Sequence, residues 1–146
     1  MKIYLDNCCY NRPYDDQSHL AIRLETEAKI QIQEDIRSGK IKLAWSYILD
    51  YENSQNPMKE RKKEISLWKE LSAYFAEESQ NILSLMNQFI LFGIKPLDAL
   101  HIACCLELEC DYFITVDKGI LRKRDMFGEK VKILSPIEMI YLLEDQ

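Results

Sequence analysis

Apolar residues in this chain fall into short blocks of two spacings, and the blocks alternate along its length. "KIYL" (2–5) is a continuous run stopped by Asp6 and Asn7, which predicts a buried strand ending on polar residues. Leu20, Leu24, Ala28, Ile32 and Ile36 then recur every four residues and predict one greasy face of a helix. Ser18 is placed to cap that helix, which runs to about Arg37, and Gly39 ends it. "KIKLAWS" (40–46) is a second strand closing on a polar residue, and "YILDYEN" (47–53) is a helical turn running up to the Asn56-Pro57 break.

"PMKERKKEISLWKEL" (57–71) begins a polar helix at its proline and shows one stripe of Ile65, Trp68 and Leu71, as half of a hairpin arm would. Ser79 caps "QNILSLMNQFILFG", Gly93 ends it, and "KPLDALHIACCLELE" (95–109) forms the next helix. In "CDYFITVD" (110–117) the apolar run from Tyr112 to Val116 is continuous, the pattern of a strand covered on both faces. "VKIL" (131–134) is a last short strand and "SPIEMIYLLE" a closing helix with Pro136 in its first turn. Strands separated by helices imply parallel pairing through right-handed crossovers, hence a three-layer α/β fold.

Composition adds bounds to this picture. With 146 residues, 47% apolar, the chain suits one domain with a substantial core, expected over 1–146. No apolar run reaches the roughly 18 residues of a membrane span, and no signal-peptide core follows Met1, so a cytoplasmic protein is expected. Five cysteines, four of them in adjacent pairs, suggest neither a disulfide framework nor a CxxC knuckle. Reduced thiols follow. A net charge of −5 offers no basic field for nucleic acid and counts mildly against a dedicated nucleic-acid binder, but does not exclude an enzyme whose acidic site holds cations.

Ligand clefts of open parallel sheets lie beyond the carboxyl ends of the strands. Asp6 ends the first strand, Glu52 follows the second by one or two helical turns, Asp98 opens a helix after Pro96, and Asp117 ends "YFITVD". Singly, each has a plain reading: Asp6 and Asp117 as turn formers, Asp98 as a helix-start acid worth about 0.3 to 1 kcal/mol, Glu52 as a solvated helix residue. Together they fall at one edge of the inferred sheet. Gathered carboxylates repel one another unless a cation neutralises them, and oxygen donors favour Mg²⁺ or Mn²⁺ over zinc.

On these residues the chain resembles the PIN-domain nucleases, which include the toxin halves of VapC-type toxin and antitoxin pairs. "IYLDN" is similar to the family's opening strand with its first aspartate, and "WSYILDYEN" to its serine followed six residues later by glutamate. "KPLDALHIACCLELECDYFITVDKGIL" is similar to its central helix and following strand, so the likeness spans nearly the whole chain. The resemblance implies an α/β/α domain with a mostly parallel central sheet and a helical arm. It also implies a Mg²⁺- or Mn²⁺-dependent endoribonuclease with an antitoxin partner and a homodimeric state, leaving a 5′-phosphate and a 3′-hydroxyl. By the same resemblance Asp6 and Asp98 are the main metal ligands, Asp117 completes the cage directly or through water, Glu52 serves the attacking water, and Thr115 supports. Asn7 stands where many members carry Ser or Thr; it can bond a scissile phosphate or orient Asp6.

Arg122, Lys123 and Arg124 lie just past Asp117 and are candidates to neutralise substrate phosphates, as is Arg12 with Tyr14 after Asp6. A second basic run, Lys59, Arg61, Lys62 and Lys63, is either an RNA contact or a solvated face. His101, three residues after Asp98, is expected to serve helix packing, and His19 the surface. Cys104 and Cys105 read as small core residues, and Cys8 and Cys9 as lining beside acids that would raise a thiol's pKa. Two other functions compete: a non-catalytic PIN-like binding module, and a phosphotransfer or phosphatase domain. The second is disfavoured by the absence of a DxD nucleophile motif and a Gly-rich phosphate loop.

Overall fold

A computed structural model describes residues 1–145. In chain order the elements are β1 (Lys2–Leu5), α1 (Asn7–Asn11), α2 (Leu20–Arg37), β2 (Lys42–Ser46), α3 (Tyr47–Ser54), α4 (Lys59–Glu70) and β3 (Tyr74–Ala76). There follow α5 (Gln80–Ile90), α6 (Pro96–Glu107), β4 (Tyr112–Ile114), α7 (Lys118–Arg122), β5 (Ile133–Leu134) and α8 (Pro136–Glu144), with 3₁₀ turns at Arg12–Tyr14 and Arg124–Phe127. Side-chain caps fix several starts: Ser46 accepts from Leu49 N, Ser79 from Ile82 N, and Ser135 with Glu138 forms a capping box.

All five strands are parallel and lie in the order β3-β2-β1-β4-β5. The chain therefore builds outward from β1 to one edge, then returns to lay β4 and β5 on the other side. That reversal makes the gap between β1 and β4 the switch point, where strand ends diverge and a cleft opens. Ile3, Tyr4, Leu5, Leu43, Ala44, Trp45, Phe113 and Ile114 are buried at the sheet, while α2 packs on α8 and α5 on α6. Cys9, Cys104 and Cys105 are buried in the same core, as small apolar residues.

Five local expectations need correction. β3 escapes the pattern because Tyr74 and Phe75 are exposed on a three-residue edge strand. A short helix that the apolar pattern did not mark follows Asp6, whose carboxylate caps α1 by accepting from Asn7 N at 2.8 Å, and the polar stretch 11–17, expected as a loop, holds a 3₁₀ turn at Arg12–Tyr14. His19, without a side-chain capping bond, stands at the cap of α2 where Ser18 was expected, and Met58 at the cap of α4, so Pro57 lies outside that helix. Leu20 and Leu24 are exposed, so only Ala28, Ile32 and Ile36 of the predicted stripe reach the core. Among the described residues no helix is long and apolar enough to cross a membrane.

Candidate active site

The polar residues that stop each strand converge. A cleft of about 300 Å³ is lined by Asp6, Asn7, Cys8, Asn11, Arg12, Asp15, Glu52, Asp98 and Asp117. All four acids singled out in the sequence thus face one space, although their positions span the chain. Asp6 arrives as a helix cap directly after β1, and Asp117 as a helix cap shortly beyond β4; Asp98 sits in the first turn of α6, and Glu52 in the last turn of α3.

Asp6 is held most firmly. Its Oδ2 accepts from the Thr115 hydroxyl at 2.8 Å and lies 3.3 Å from the Cys8 thiol, while its Oδ1 serves the α1 cap. Thr115 also accepts from Asp117 N at 3.0 Å, so one fully buried hydroxyl ties the first acid to the last. Fully buried, Thr115 bonds Asp6 and the Asp117 backbone and does not line the cleft. The Cys8 thiol is pushed well up, by its hydrogen bond with the Cys9 thiol, by burial and by the Asp6 charge, and stays protonated.

Glu52 is gripped from both sides. Asn7 Nδ2 donates to its Oε2 at 2.9 Å, and His101 Nε2 bonds its Oε1. His101 is fully buried and passes the connection inward: its Nδ1 lies 2.7 Å from the Tyr4 hydroxyl, which lies 2.5 Å from Ser46 Oγ, itself bonded by Leu49 N. When His101 is neutral, each donor in this row points toward Glu52; when it is charged, Tyr4 accepts from Nδ1 and turns its own hydrogen to Ser46. Burial opposes charge on His101, yet the Glu52 bond and the charges of Asp6, Glu52 and Asp98 prevail and raise its pKa. A plain packing role for His101 is therefore incomplete. Its spacing from Asp98 was the available signal, but Glu52, 49 positions away, is the partner.

Electrostatics at Asp98 test whether a cation suits the cleft. Its carboxyl is pushed up to about 6 by burial and by the charges of Asp6 and Asp117, with His101 opposing. The one cationic side chain among the cleft residues, Arg12, is already paired with Asp15 at 2.9 Å and Glu25 at 3.7 Å. Uncompensated carboxylates with all-oxygen donors fit a hard divalent ion. Among the described residues, no three His, Cys, Asp or Glu side chains stand grouped closely enough to share one as they are placed.

The basic candidates separate. Lys123 reaches a second groove of about 300 Å³ that shares Asp98 and Asp117 with the cleft and adds Gly93, Lys95 and Gly119. Its Nζ donates to Gly93 O at 2.7 Å. Arg122 is exposed and lines neither space. Arg124 is turned away: it pairs with Glu138 at 2.8 Å and donates to Ile133 O, so it braces α8 and is not brought to the acids. Asn11, Asp15 and Lys95 were missed in the sequence because nothing local marks them; only the folded rim does.

A solved structure of VapBC2 from Rickettsia felis, bound to a DNA fragment from their promoter, is similar to this chain with a TM-score of 0.56. The match covers 92% of this chain and 98% of the other at 16% sequence identity. The fold is PIN-like. No family model matches the chain, and the comparison with curated proteins finds no match.

Proposed function

We propose that this PIN-like chain is a divalent-metal-dependent endoribonuclease, acting in the cytoplasm as the toxin of a toxin and antitoxin pair. The observation that carries the reading is the convergence of Asp6, Glu52, Asp98 and Asp117 on one cleft at the switch point of a parallel sheet. The likeness to VapBC2 supports the antitoxin partner, and a second copy of the chain is a further proposed partner. Asp6, Asp98 and Asp117 would hold Mg²⁺ or Mn²⁺, which when bound supplies an activated water and neutralises charge on the attacked phosphate.

The chain's own residues account for the rest. Thr115 fixes the Asp6 carboxylate toward the cleft, and the Asp117 amide shares the same hydroxyl, so two of the acids are set as one unit. Glu52, with one oxygen on Asn7 and the other on His101, is oriented to take the proton of the attacking water. The new P–O bond forms as the P–O3′ bond breaks, and the leaving 3′-oxygen takes a proton from solvent water, so that a 5′-phosphate and a 3′-hydroxyl remain. Lys123, beside Asp98 and Asp117, is placed to receive a neighbouring phosphate of the strand.

The test is cleavage of single-stranded and structured RNA with and without Mn²⁺ by the parent, Asp6→Asn and Asp98→Asn. Metal-dependent cleavage lost in both variants is expected. An inert parent that still binds RNA would favour a non-catalytic module; cleavage surviving both substitutions would displace the site.

A further inference from the structure

Beside the cleft lies a cavity that neither the acids nor the proposed ions explain. It has a volume of about 480 Å³ and is lined by Tyr14, Pro57, Met58, Lys59, Glu60, Arg61 and Glu64. We propose that this cavity receives one nucleobase of a single-stranded RNA, stacked on the Tyr14 and Arg61 pair. This rests on the ribonuclease reading and adds how the strand is gripped.

Four observations point to a flat, uncharged ring. The Arg61 guanidinium lies 4.6 Å from the Tyr14 ring centroid, so two flat groups are already layered and a base adds a third. Tyr14 is held in place by its hydroxyl bond to Glu64, yet it remains 37% exposed, and Met58 beside it is 56% exposed. The Arg61 Nε is buried without a hydrogen-bond partner among the described residues, leaving the guanidinium short of one partner beside the ring. Finally, Lys59 and Arg61 are balanced by Glu60 and Glu64, so the lining carries no net charge to draw a phosphate.

Position ties the cavity to the cleft. Tyr14 belongs to the 3₁₀ turn that starts at Arg12, a cleft residue, and Pro57 follows Asn56, whose side chain donates to Asn11 of the cleft rim at 3.4 Å. A strand crossing the acids can therefore place a nearby base in the cavity without leaving the surface. Stacking of this kind tolerates any base, so it sets the register of the strand more than its sequence.

The experiment measures binding to the Asp6→Asn protein in Mg²⁺, using a single-stranded RNA octamer and a set carrying one abasic site at each position in turn. We expect one position at which base removal weakens binding on the order of ten- to a hundredfold. Adding Tyr14→Leu should weaken the intact octamer similarly and erase that position's effect, while Tyr14→Phe retains it. Arg61→Met, which removes the other layer without touching the ring, should also reduce the effect, so the result does not hang on one variant. Uniform sensitivity to abasic sites, or a sensitive position that survives both Tyr14→Leu and Arg61→Met, overturns the cavity proposal alone. No binding of any octamer overturns the RNA reading and the cavity with it.

Discussion

Replacing Thr115 by valine keeps the shape of a fully buried side chain and deletes one hydroxyl. Three contacts go with it: the 2.8 Å donation to Asp6 Oδ2, the 3.0 Å acceptance from Asp117 N and the 3.3 Å contact with the Cys8 thiol. A hydrogen bond to a charged group contributes about 1.5 to 3 kcal/mol, and an amide left without an acceptor costs about 1 to 3. The Cys8 thiol still lies 3.3 Å from Asp6 Oδ2, and Asp117 is only part-buried, so water and the thiol recover some of the loss. The net cost should be about 3 kcal/mol, or a melting point lower by roughly 6 to 12 °C for a chain of this size. Urea denaturation in metal-free buffer measures it. Thr115→Ser is the control, since it retains the hydroxyl and loses one buried methyl, about 1 kcal/mol. A Thr115→Val protein within about 0.5 kcal/mol of the parent, or a Thr115→Ser protein equally destabilised, would refute the bridge between the first and last acid.

Three other outcomes are expected. Lys29 is buried beside the Tyr10 ring, and burial pushes its pKa down to about 8, against the opposing charges of Cys9 and Glu64. The unfolded chain therefore binds the extra proton between about pH 8 and 10.5, so parent stability should rise with pH across that window relative to Lys29→Met. Below it, Lys29→Met should be the more stable by about 3 kcal/mol; a parent that loses stability against the variant on the same titration contradicts this. Mg²⁺ or Mn²⁺ at a hundredfold over its Kd should stabilise the parent by about 2.7 kcal/mol in a thermal shift assay, and Asp6→Asn much less. Equal shifts would place the ion elsewhere. Gly93 has a φ of +83°, and a Cβ there would sit 2.7 Å from Lys123 Nζ, so Gly93→Ala should cost about 1 to 2 kcal/mol in chemical denaturation and displace that lysine. A neutral Gly93→Ala would show that the contact is slack.

Sequence determined what local pattern can carry. Apolar runs and fourfold repeats located every strand but β3, and Ser79 marked the start of α5, because strand ends and caps are written in adjacent residues, although Ser18 did not mark that of α2. For the same reason Asp6, Asp98 and Asp117 stood out: each occupies an element's end. Tertiary structure alone decided which of the other residues meet them. Glu52 meets His101 across 49 positions and Tyr4 meets His101 across 97, while Arg124, seven residues from Asp117, faces away to Glu138. Whether Tyr14 and Arg61 stack, and whether Leu24 reaches a core, depends on the faces the packed helices leave open. The physical reason is one of range. Backbone conformation is set by neighbours along the chain, whereas a side chain's partner is set by how elements distant in the chain are packed together.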